Sequence, residues 1–407
     1  MRASRLASLL PLLTLVPTAC TQIGSNGFAP DSFADQAQLL TAEAGGVVIE
    51  SGTGAFVVSP PLQGRVMTSA VSPQANGLGF VNVPVIRDPG DAAQFFNYGG
   101  EDRLWIGPEG GPFALFFPIG ATQVAENWQV PEPMHRGAFT VAEQTADKVV
   151  MTREMTVRNV QGTRFDLGIR RTIETPTGNE VRELIGGLLP VGAEWVAFRS
   201  RNRVENAGSF PWHRDTGLPC VWVLGMFLPG PDAWVIAPFE GPQGSGADGQ
   251  LQRPVEASYF GEVPPDRLRV ASNFVMFKTD AKLRSKIGLW RSRATQRVAA
   301  YDPATGVLTI VEFGPLDRKR PYLVELWDPD YPEPYAGDVV NSYNHGGPET
   351  FFEIESSSWA LELKPGEAHE HVHTTVHLKL PSEREVEKVM ARALGIDWVE
   401  VKGVAGW

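Results

Sequence analysis

The chain has 407 residues, of which 43% are hydrophobic and 20% are charged, so it is long enough to bury a sizeable core. The formal net charge of −11 argues against nucleic-acid binding, which requires a basic surface. After the N-terminal segment there is no run of about 20 apolar residues, so we expect no transmembrane helix. The 33 prolines and 42 glycines predict many turns.

The first 20 residues predict an export signal. Arg2 and Arg5 precede an apolar run at residues 9–16, and small residues then lead to Cys20. A cysteine directly after a small residue is similar to a bacterial lipobox, although Pro17 stands where leucine is usual. We therefore predict an exported lipoprotein, anchored by a lipid on Cys20 to a membrane in the periplasm or at the outer membrane. Ordinary secretion is the alternative.

The amino-acid composition of the chain changes after the first 20 residues. Residues 21–44 predict a tether that ends in a short helix. Residues 45–380 consist of short segments rich in Val, Ile, Phe and Thr, bounded by Gly, Pro, Asp and Asn. This pattern is typical of strands and predicts an all-β fold, a large sandwich of antiparallel sheets.

A C-terminal helix is predicted within residues 381–407. Val386, Val389 and Leu394 recur at helical spacing, and Gly395 follows as a stop signal. We expect this helix to pack on the sandwich and a short strand to follow it at residues 398–401.

The segment NYGGEDRLWIGPEGGPFALFF, residues 97–117, is the most informative part of the chain. Glu101, Asp102 and Arg103 are adjacent, and three adjacent charges are costly to bury unless they hydrogen-bond to each other or to a ligand. Trp105 adds an aromatic face. Because sugar rings stack their C–H faces on aromatic rings and bind planar polar groups through their hydroxyls, we expect these four residues to bind a carbohydrate. The alternative for Glu101 and Asp102 is that they hold Arg103 in place through a buried ion pair.

A second polar segment follows Trp327. It contains Asp338, Asn341, Tyr343, Asn344 and His345, and its prolines and glycines predict a loop. Such a loop could bind sugar hydroxyls or supply oxygen ligands to Ca²⁺. A solvated acidic loop is the alternative.

Two positions could supply acid–base chemistry. Strand alternation puts Glu353 and Glu355 on one face, where mutual repulsion would raise one pKa and favour a general base or acid. The alternative is an ordinary solvent face. His213, beside Trp212 in a turn-rich segment, is a candidate general acid, with a surface turn histidine as the alternative.

The strand EHVHTTVHL presents a row of histidines. His369, His371 and His373 share one face, as strand geometry places alternate residues in parallel. A metal site, a sugar-binding face and a polar sheet face are the possible interpretations. No third ligand type accompanies the row, so we predict no metal, and no nucleotide or cofactor motif occurs, so we predict no cofactor.

Four segments together resemble one family. They are NYGGEDRLWIGPEGG, RNRVENAGS, RSKIG and FFEIESSSWALELKPGE, and they are similar to DUF6786, a bacterial family of unknown function, over about residues 45–380. That family resembles galactose mutarotase-like proteins, which implies a β-supersandwich. The resemblance further implies that Arg103 binds sugar hydroxyls, that Glu353 or Glu355 removes the anomeric proton, and that a histidine protonates the ring oxygen.

Three classes of function remain open from the sequence. The first is an aldose 1-epimerase-like enzyme, an isomerase, with His213 or His345 as the acid. The second is a glycan-binding lipoprotein without turnover, in which Trp105, Trp128 and Trp212 stack on sugar rings. The third is a metal-dependent lyase or hydrolase that uses the histidine row or the acidic loop. A carbohydrate partner is common to the first two.

Overall fold

A computed structural model of the chain describes residues 23–25, 27–91, 94–241 and 254–407. The predicted export signal and Cys20 lie outside the described residues. Within these ranges no helix is both long enough and apolar enough to cross a membrane.

The described residues form mainly strands, with helices at both ends of the chain and three short helices among the strands. In chain order the helices are α1 (Phe33–Glu43), α2 (Val83–Arg87), α3 (Glu132–His135), α4 (Gly178–Leu184), α5 (Glu383–Leu394) and α6 (Trp398–Ala405). The strands are β1 (Val47–Ser51), β2 (Gly54–Ser59), β3 (Arg65–Ala70), β4 (Arg103–Gly107), β5 (Thr140–Gln144), β6 (Lys148–Arg158), β7 (Arg164–Glu174), β8 (Glu194–Asn206), β9 (Cys220–Phe227), β10 (Trp234–Pro238), β11 (Val255–Glu256), β12 (Leu268–Val270), β13 (Phe274–Lys278), β14 (Ser285–Trp290), β15 (Arg297–Asp302), β16 (Val307–Gly314), β17 (Asp338–Asn344), β18 (Phe352–Ser357) and β19 (Ala368–Lys379).

These strands form three antiparallel sheets. A small sheet has the order β1-β2-β3, and a large one has the order β12-β13-β10-β15-β16-β19-β8-β7-β6-β5. The third sheet has six strands in the order β11-β14-β17-β18-β9-β4. The predicted antiparallel all-β architecture with a C-terminal helix is therefore confirmed.

One hydrophobic core lies between the six-stranded sheet and the ten-stranded sheet. Ile354 and Phe352 of β18 belong to the same buried cluster as Val311 and Phe313 of β16. Because side chains alternate along a strand, the residues between them in β18 point to the opposite face. The predicted division of this strand into an apolar face and a carboxylate face is confirmed, and the carboxylate face carries the candidate site.

The C-terminal segment packs on the outer face of the ten-stranded sheet. Helix α5 buries Val386, Val389 and Met390, and Gly395 ends it in the left-handed conformation, as predicted. The predicted strand at residues 398–401 is wrong, because these residues begin α6. The side chain of Asp397 caps that helix at the Val399 amide, 2.8 Å away.

Two other segments depart from the sequence interpretation. Within the predicted tether, α1 buries Phe33, Leu39 and Leu40 in a core shared with β2 and β3. The predicted loop at Asp338–Asn344 is wrong, because this segment is strand β17, hydrogen-bonded to β14 on one side and β18 on the other. Pairing on both edges outweighs its turn-like composition.

Candidate functional site

A cavity of about 450 Å³ lies on the face of the six-stranded sheet that points away from the core. Alternate residues of five neighbouring strands form its floor: Arg103, Trp105, Trp222, Leu224, Met226, Lys286, Tyr343, Glu353 and Glu355. Connecting segments supply the walls, including Phe95, Asn97, Glu109, Trp128, Phe260, Arg284, Trp327, His345, Glu349 and Phe351.

Strand register explains why distant residues share this floor. Leu224 of β9 lies opposite both Arg103 of β4 and Glu355 of β18. Tyr343 of β17 lies opposite both Glu353 of β18 and Lys286 of β14. Directly opposed residues of antiparallel strands point to the same side of the sheet, so this register collects the polar groups on one face.

The centre of the floor is an ion pair between Arg103 and Glu353. Arg103 Nη2 donates to Glu353 Oε1 at 2.6 Å, and the two side chains are 4% and 6% exposed. The guanidinium carbon lies 4.1 Å from the centre of the Trp105 ring, in a cation–π contact. Burial raises the pKa of Glu353 to about 7, although the charge of Arg103 opposes that rise. Glu353 can therefore hold or release a proton near neutrality.

Glu355 occupies a different environment from Glu353. Its Oε2 accepts hydrogen bonds from Lys286 Nζ and from Trp222 Nε1, both at 3.0 Å, and its side chain is 0% exposed. Burial disfavours the Lys286 ammonium, but Glu355 and nearby carboxylates outweigh it and raise the pKa of Lys286. Both carboxylates line the cavity, but Lys286 and Trp222 hold one oxygen of Glu355, whereas the cationic partner of Glu353 is Arg103.

His345 is the histidine of this cavity. Its Nδ1 lies 3.1 Å from Tyr343 Oη, and its ring stacks on Phe351 with 4.6 Å between centroids. The carboxylate of Glu349 lies 4.0 Å from Nε2. Burial, with a further contribution from the charge of Arg284, lowers the pKa of His345. Its imidazolium form is therefore a stronger acid than free imidazolium.

His213 lies elsewhere. It is exposed in the turn before the 3-10 segment Arg214–Thr216, beside a shallow groove that does not include the cavity floor. Its neighbour Trp212 is buried in the core against Phe165, with ring centroids 5.7 Å apart. Of the three tryptophans predicted to stack on sugars, Trp105 and Trp128 line the cavity and Trp212 does not.

Glu101 and Asp102 point into the protein interior. Glu101 accepts hydrogen bonds from the Ser69 amide at 2.5 Å and the Ser69 hydroxyl at 2.8 Å, and lies 2.9 Å from His377 Nε2. Asp102 forms an ion pair with Arg171, and both side chains are fully buried. Neither carboxylate lines the cavity, so the structure brings only Arg103 of the three adjacent charges to the floor.

Asp338, Asn341 and Asn344 lie behind or beside the floor. Tyr259 Oη donates a hydrogen bond to Asp338 Oδ2, and Asn341 Nδ2 donates to the same oxygen at 3.3 Å. Burial raises the pKa of Asp338 to about 7. Asn344 accepts from the Ala281 amide at 2.8 Å and so anchors a turn. None of the three lines the cavity, whereas Tyr343 of the same strand does.

Comparison with known proteins identifies the family. The model of DUF6786, a family of unknown function, matches residues 31–405. The chain belongs to the DUF6786 family. The membership indicated by the four sequence motifs is confirmed, and the match extends beyond the expected residues 45–380 at both ends.

Several solved structures are similar to this DUF6786 protein. One is a galactose mutarotase-like protein from Lactobacillus casei, with 12% identity, a TM-score of 0.46, and coverage of 82% of this chain and 99% of that one. Another is a galactose mutarotase-like protein from Clostridium acetobutylicum, with 12% identity, a TM-score of 0.46, and coverage of 82% and 95%. A galactose mutarotase related enzyme from Lactobacillus acidophilus has 9% identity, a TM-score of 0.44, and coverage of 82% and 97%. No curated protein matches the chain.

The DUF6786 cavity also contains residues that the sequence interpretation did not select, above all Lys286, Glu109 and Trp222. Lys286 lies in RSKIG and Glu109 in the GPEGG portion of the first motif, so the family motifs included two of them without indicating a role. Trp222 lies in an uninterrupted apolar strand, CVWVLGMF, which carries no polar signal.

The histidine row of this DUF6786 protein faces the interior between the sheets. His371 Nε2 and His373 Nδ1 both lie 2.8 Å from Ser356 Oγ, and both rings are fully buried. Burial lowers the pKa of His373 to about 4. Among the described residues, no group of three or more His, Cys, Asp or Glu side chains is arranged to hold a metal ion.

Proposed function

We propose that this DUF6786 protein binds a carbohydrate in the cavity and interconverts its anomers by acid–base catalysis, as an aldose 1-epimerase-like isomerase. The observation that carries the proposal is Glu353. It is a buried carboxylate with a pKa of about 7, held by Arg103 at the floor of a cavity with aromatic walls. A group that is half protonated near neutrality can accept and return a proton in one catalytic cycle.

The walls of the cavity suit a sugar ring. Trp128 and Trp327 stand nearly parallel, with ring centroids 6.5 Å apart and planes inclined by 22°, and both line the cavity. Sugar C–H groups pack on such faces. Two buried donors on the floor, Trp105 Nε1 and Arg103 Nε, have no hydrogen-bond partner in the part of the chain that the structure describes. Buried donors are normally satisfied, so hydroxyl oxygens of a bound sugar are their natural acceptors.

The proposed reaction requires two proton transfers. Glu353 removes the proton from the anomeric hydroxyl while the imidazolium of His345 donates a proton to the ring oxygen. The bond between the anomeric carbon and the ring oxygen breaks, which gives the open-chain aldehyde. Rotation about the bond between the first two carbons and the reverse transfers then close the ring as the other anomer. The reaction is an isomerisation, so it consumes no oxidant, reductant or co-substrate.

The same residues support a division of roles around the reaction centre. Glu349, 4.0 Å from His345 Nε2, is the carboxylate that lies beside the proposed acid. Arg103 fixes Glu353 and offers its remaining guanidinium donors to sugar hydroxyls. Lys286 and Glu355 form an ion pair on the floor, and in this proposal they position the sheet surface without contacting the reacting atoms.

Polarimetry on freshly dissolved α-glucose and α-galactose tests the proposal. Wild-type protein should accelerate the change in rotation, and Glu353→Gln should reduce that acceleration by about 10²-fold or more, since general acid–base catalysis contributes about that much. Glu362→Gln is the matched control, because Glu362 is exposed and paired with Arg214 outside the cavity. Full activity of Glu353→Gln would refute the assignment. Saccharide binding without acceleration would instead identify a glycan-binding protein.

We further propose that the protein is an exported lipoprotein, held to a membrane by a lipid on Cys20. The support is the order of the leader: positive residues, an apolar run and small residues before the cysteine. Labelling cells with a radioactive fatty acid should mark the wild-type protein and leave Cys20→Ser unmarked. Equal labelling of both proteins, or labelling of neither, would contradict the anchor.

A further inference from the structure

The cavity is lined by more carboxylates than lysine and arginine side chains. Two of its cations are already used, since Arg103 pairs with Glu353 at 2.6 Å and Lys286 pairs with Glu355 at 3.0 Å. Glu109 also lines the cavity, is only 9% exposed, and forms no ion pair with any described residue. A buried carboxylate without a cationic partner is costly, so this position is prepared for a positive group.

The surroundings of Glu109 increase the imbalance. Glu325 accepts a hydrogen bond from the Glu109 amide through Oε2, and its other oxygen, Oε1, is buried with no hydrogen-bond partner in the described ranges. Glu325 likewise forms no ion pair within the described ranges. Burial raises the pKa of both carboxyl groups, that of Glu325 to about 8. Near neutrality the free protein therefore keeps a proton on Glu325, which removes one negative charge from this region.

The aromatic groups beside Glu109 suit an organic cation. Trp128 Nε1 donates to Glu109 Oε1 at 2.9 Å, so the indole ring stands next to the carboxylate. Trp128 also packs against Trp327 and Phe116, with centroids 6.5 and 6.1 Å away. A carboxylate in a cavity that also contains aromatic rings attracts an ammonium group by ion pairing, and the rings can add cation–π contact. Trp105, which lines the same cavity, has an indole Nε1 with no hydrogen-bond partner among the described residues, and a hydroxyl of a bound sugar would be a suitable acceptor for it.

We propose that the substrate is an aminohexose, a sugar that carries a primary ammonium group, and that Glu109 receives this ammonium. The inference rests on the carbohydrate site proposed above and names its substrate class. The charges of Lys286 and Arg284 oppose the rise in the pKa of Glu109, but within the described residues neither cation forms an ion pair with it. Arg284 does not take the role of that partner. It is exposed at the cavity mouth, where its guanidinium stacks 4.0 Å from the Phe260 ring centre, so water already solvates its charge.

Calorimetric titration with matched sugars tests the inference, in a buffer slightly below neutrality that keeps the sugar amine charged. Glucosamine and galactosamine should bind about tenfold more tightly than glucose and galactose, because an ammonium over aromatic rings beside a carboxylate contributes on the order of 1–2 kcal/mol. N-acetylglucosamine is the ligand control, since it keeps a nitrogen substituent at the same carbon without the charge. It should lose the preference.

A substitution tests whether Glu109 is the residue that binds the ammonium group. Glu109→Gln keeps the side-chain shape and an oxygen for Trp128 Nε1, and should reduce the ratio of aminohexose to hexose affinity to about one. Glu362→Gln should leave the ratio at its wild-type value. The wild-type comparison decides the question even where Glu109→Gln does not fold.

The outcomes separate the two proposals. No binding of any saccharide would overturn the carbohydrate site itself. Equal binding of neutral sugars and aminohexoses would overturn only the substrate class. Tighter binding of glucuronate than of glucosamine would also overturn it, and would point to Arg284 as the dominant charge.

Discussion

Arg103 Nη2 lies 2.6 Å from Glu353 Oε1, although the two residues are 250 positions apart in the chain. They belong to β4 and β18, which do not pair with each other, because β9 lies between them. The ion pair therefore crosses over an intervening strand on the cavity side of the sheet. It joins the early Gly-Gly-Glu-Asp-Arg motif to the late glutamate motif, and it sets the protonation of the proposed catalytic base.

Removing the charge of Arg103 should change the pH dependence of turnover. Burial raises the pKa of Glu353 to about 7, and Arg103 is the largest opposing influence. In Arg103→Met that pKa should rise further, so the base loses its proton only at higher pH. We expect the rising limb of the pH–rate profile to move to higher pH, measured by polarimetry. Arg103→Lys retains a charge and should move it less.

The same variant should also be less stable. Breaking a buried ion pair by removing one partner costs about 3–5 kcal/mol when the other charge stays in place. Protonation of Glu353 relieves part of that cost at low pH, so the loss of unfolding free energy should be larger at high pH. An Arg103→Met protein with the wild-type pH–rate profile would contradict the coupling of these two residues.

Glu325 should make stability decrease with rising pH. Burial raises its pKa to about 8 in the folded state, from an ordinary value of 4.5. Between these values the folded state keeps a proton that the unfolded state releases, so this contribution is complete below 4.5 and is lost as the pH rises to about 8. Urea unfolding of Glu325→Gln and wild type at about pH 5 and about pH 9 measures this.

The difference in unfolding free energy between the variant and wild type should change with pH in one direction. The unfolding free energy of Glu325→Gln should improve relative to wild type from the lower to the higher pH, by roughly 1.4 kcal/mol for each unit of pKa shift removed. Glu362→Gln, at an exposed position, should show no such change. A constant difference between Glu325→Gln and wild type would show that Glu325 is not protonated in the folded protein.

Gly99 should be the least replaceable glycine of the first motif. It has φ +84°, and a Cβ added there would lie 1.9 Å from the carbonyl oxygen of Phe80. Gly99→Ala therefore combines a left-handed backbone with a steric clash, and should lower stability by more than about 3 kcal/mol or prevent folding. Thermal unfolding measures the effect.

Gly366→Ala is the matched control for this change. Gly366 has φ +81° but no atom within 4 Å of an added Cβ, so its replacement incurs only backbone strain, about 1–2 kcal/mol. Equal destabilisation by the two substitutions would mean that the contact with Phe80 has no influence on stability.

The two candidate histidines should differ in activity. His345 lines the cavity beside Tyr343, whereas His213 is exposed outside it. His345→Gln should reduce anomer interconversion by about 10²-fold or more, and His213→Gln should leave it unchanged. The reverse result in polarimetry would exclude His345 as the acid and would require another role for the cavity.

Local patterns in the sequence were sufficient where the periodicity of one element decides the outcome. Alternation in β18 placed Glu353 and Glu355 on one face, because strand side chains alternate whatever the sheet does. The same holds for α5, where Val386, Val389 and Met390 define a buried stripe at helical spacing. Periodicity did not identify α6, since eight residues with two buried positions fit either a helix or a short strand.

Composition gave a wrong prediction where hydrogen bonding between strands decides the structure. Residues 338–344 contain turn-forming residues, yet they form an inner strand because both neighbours offer backbone hydrogen bonds. In the first motif, the sequence could not show which of the adjacent side chains of Glu101, Asp102 and Arg103 face the interior and which faces the cavity. Their partners, His377 and Arg171 for the two acids, come from other strands.

The sequence by itself determined the antiparallel all-β class, the C-terminal helix, the family, and the two segments that supply Arg103 and Glu353. It did so because strand and helix periodicities and family motifs are local properties of the chain. Only the tertiary structure decided that Glu353 pairs with Arg103 while Glu355 pairs with Lys286, and that His345 belongs to the site and His213 does not. The physical reason is that burial and ion pairing depend on which strands become neighbours, and in this protein those strands are separated by hundreds of residues.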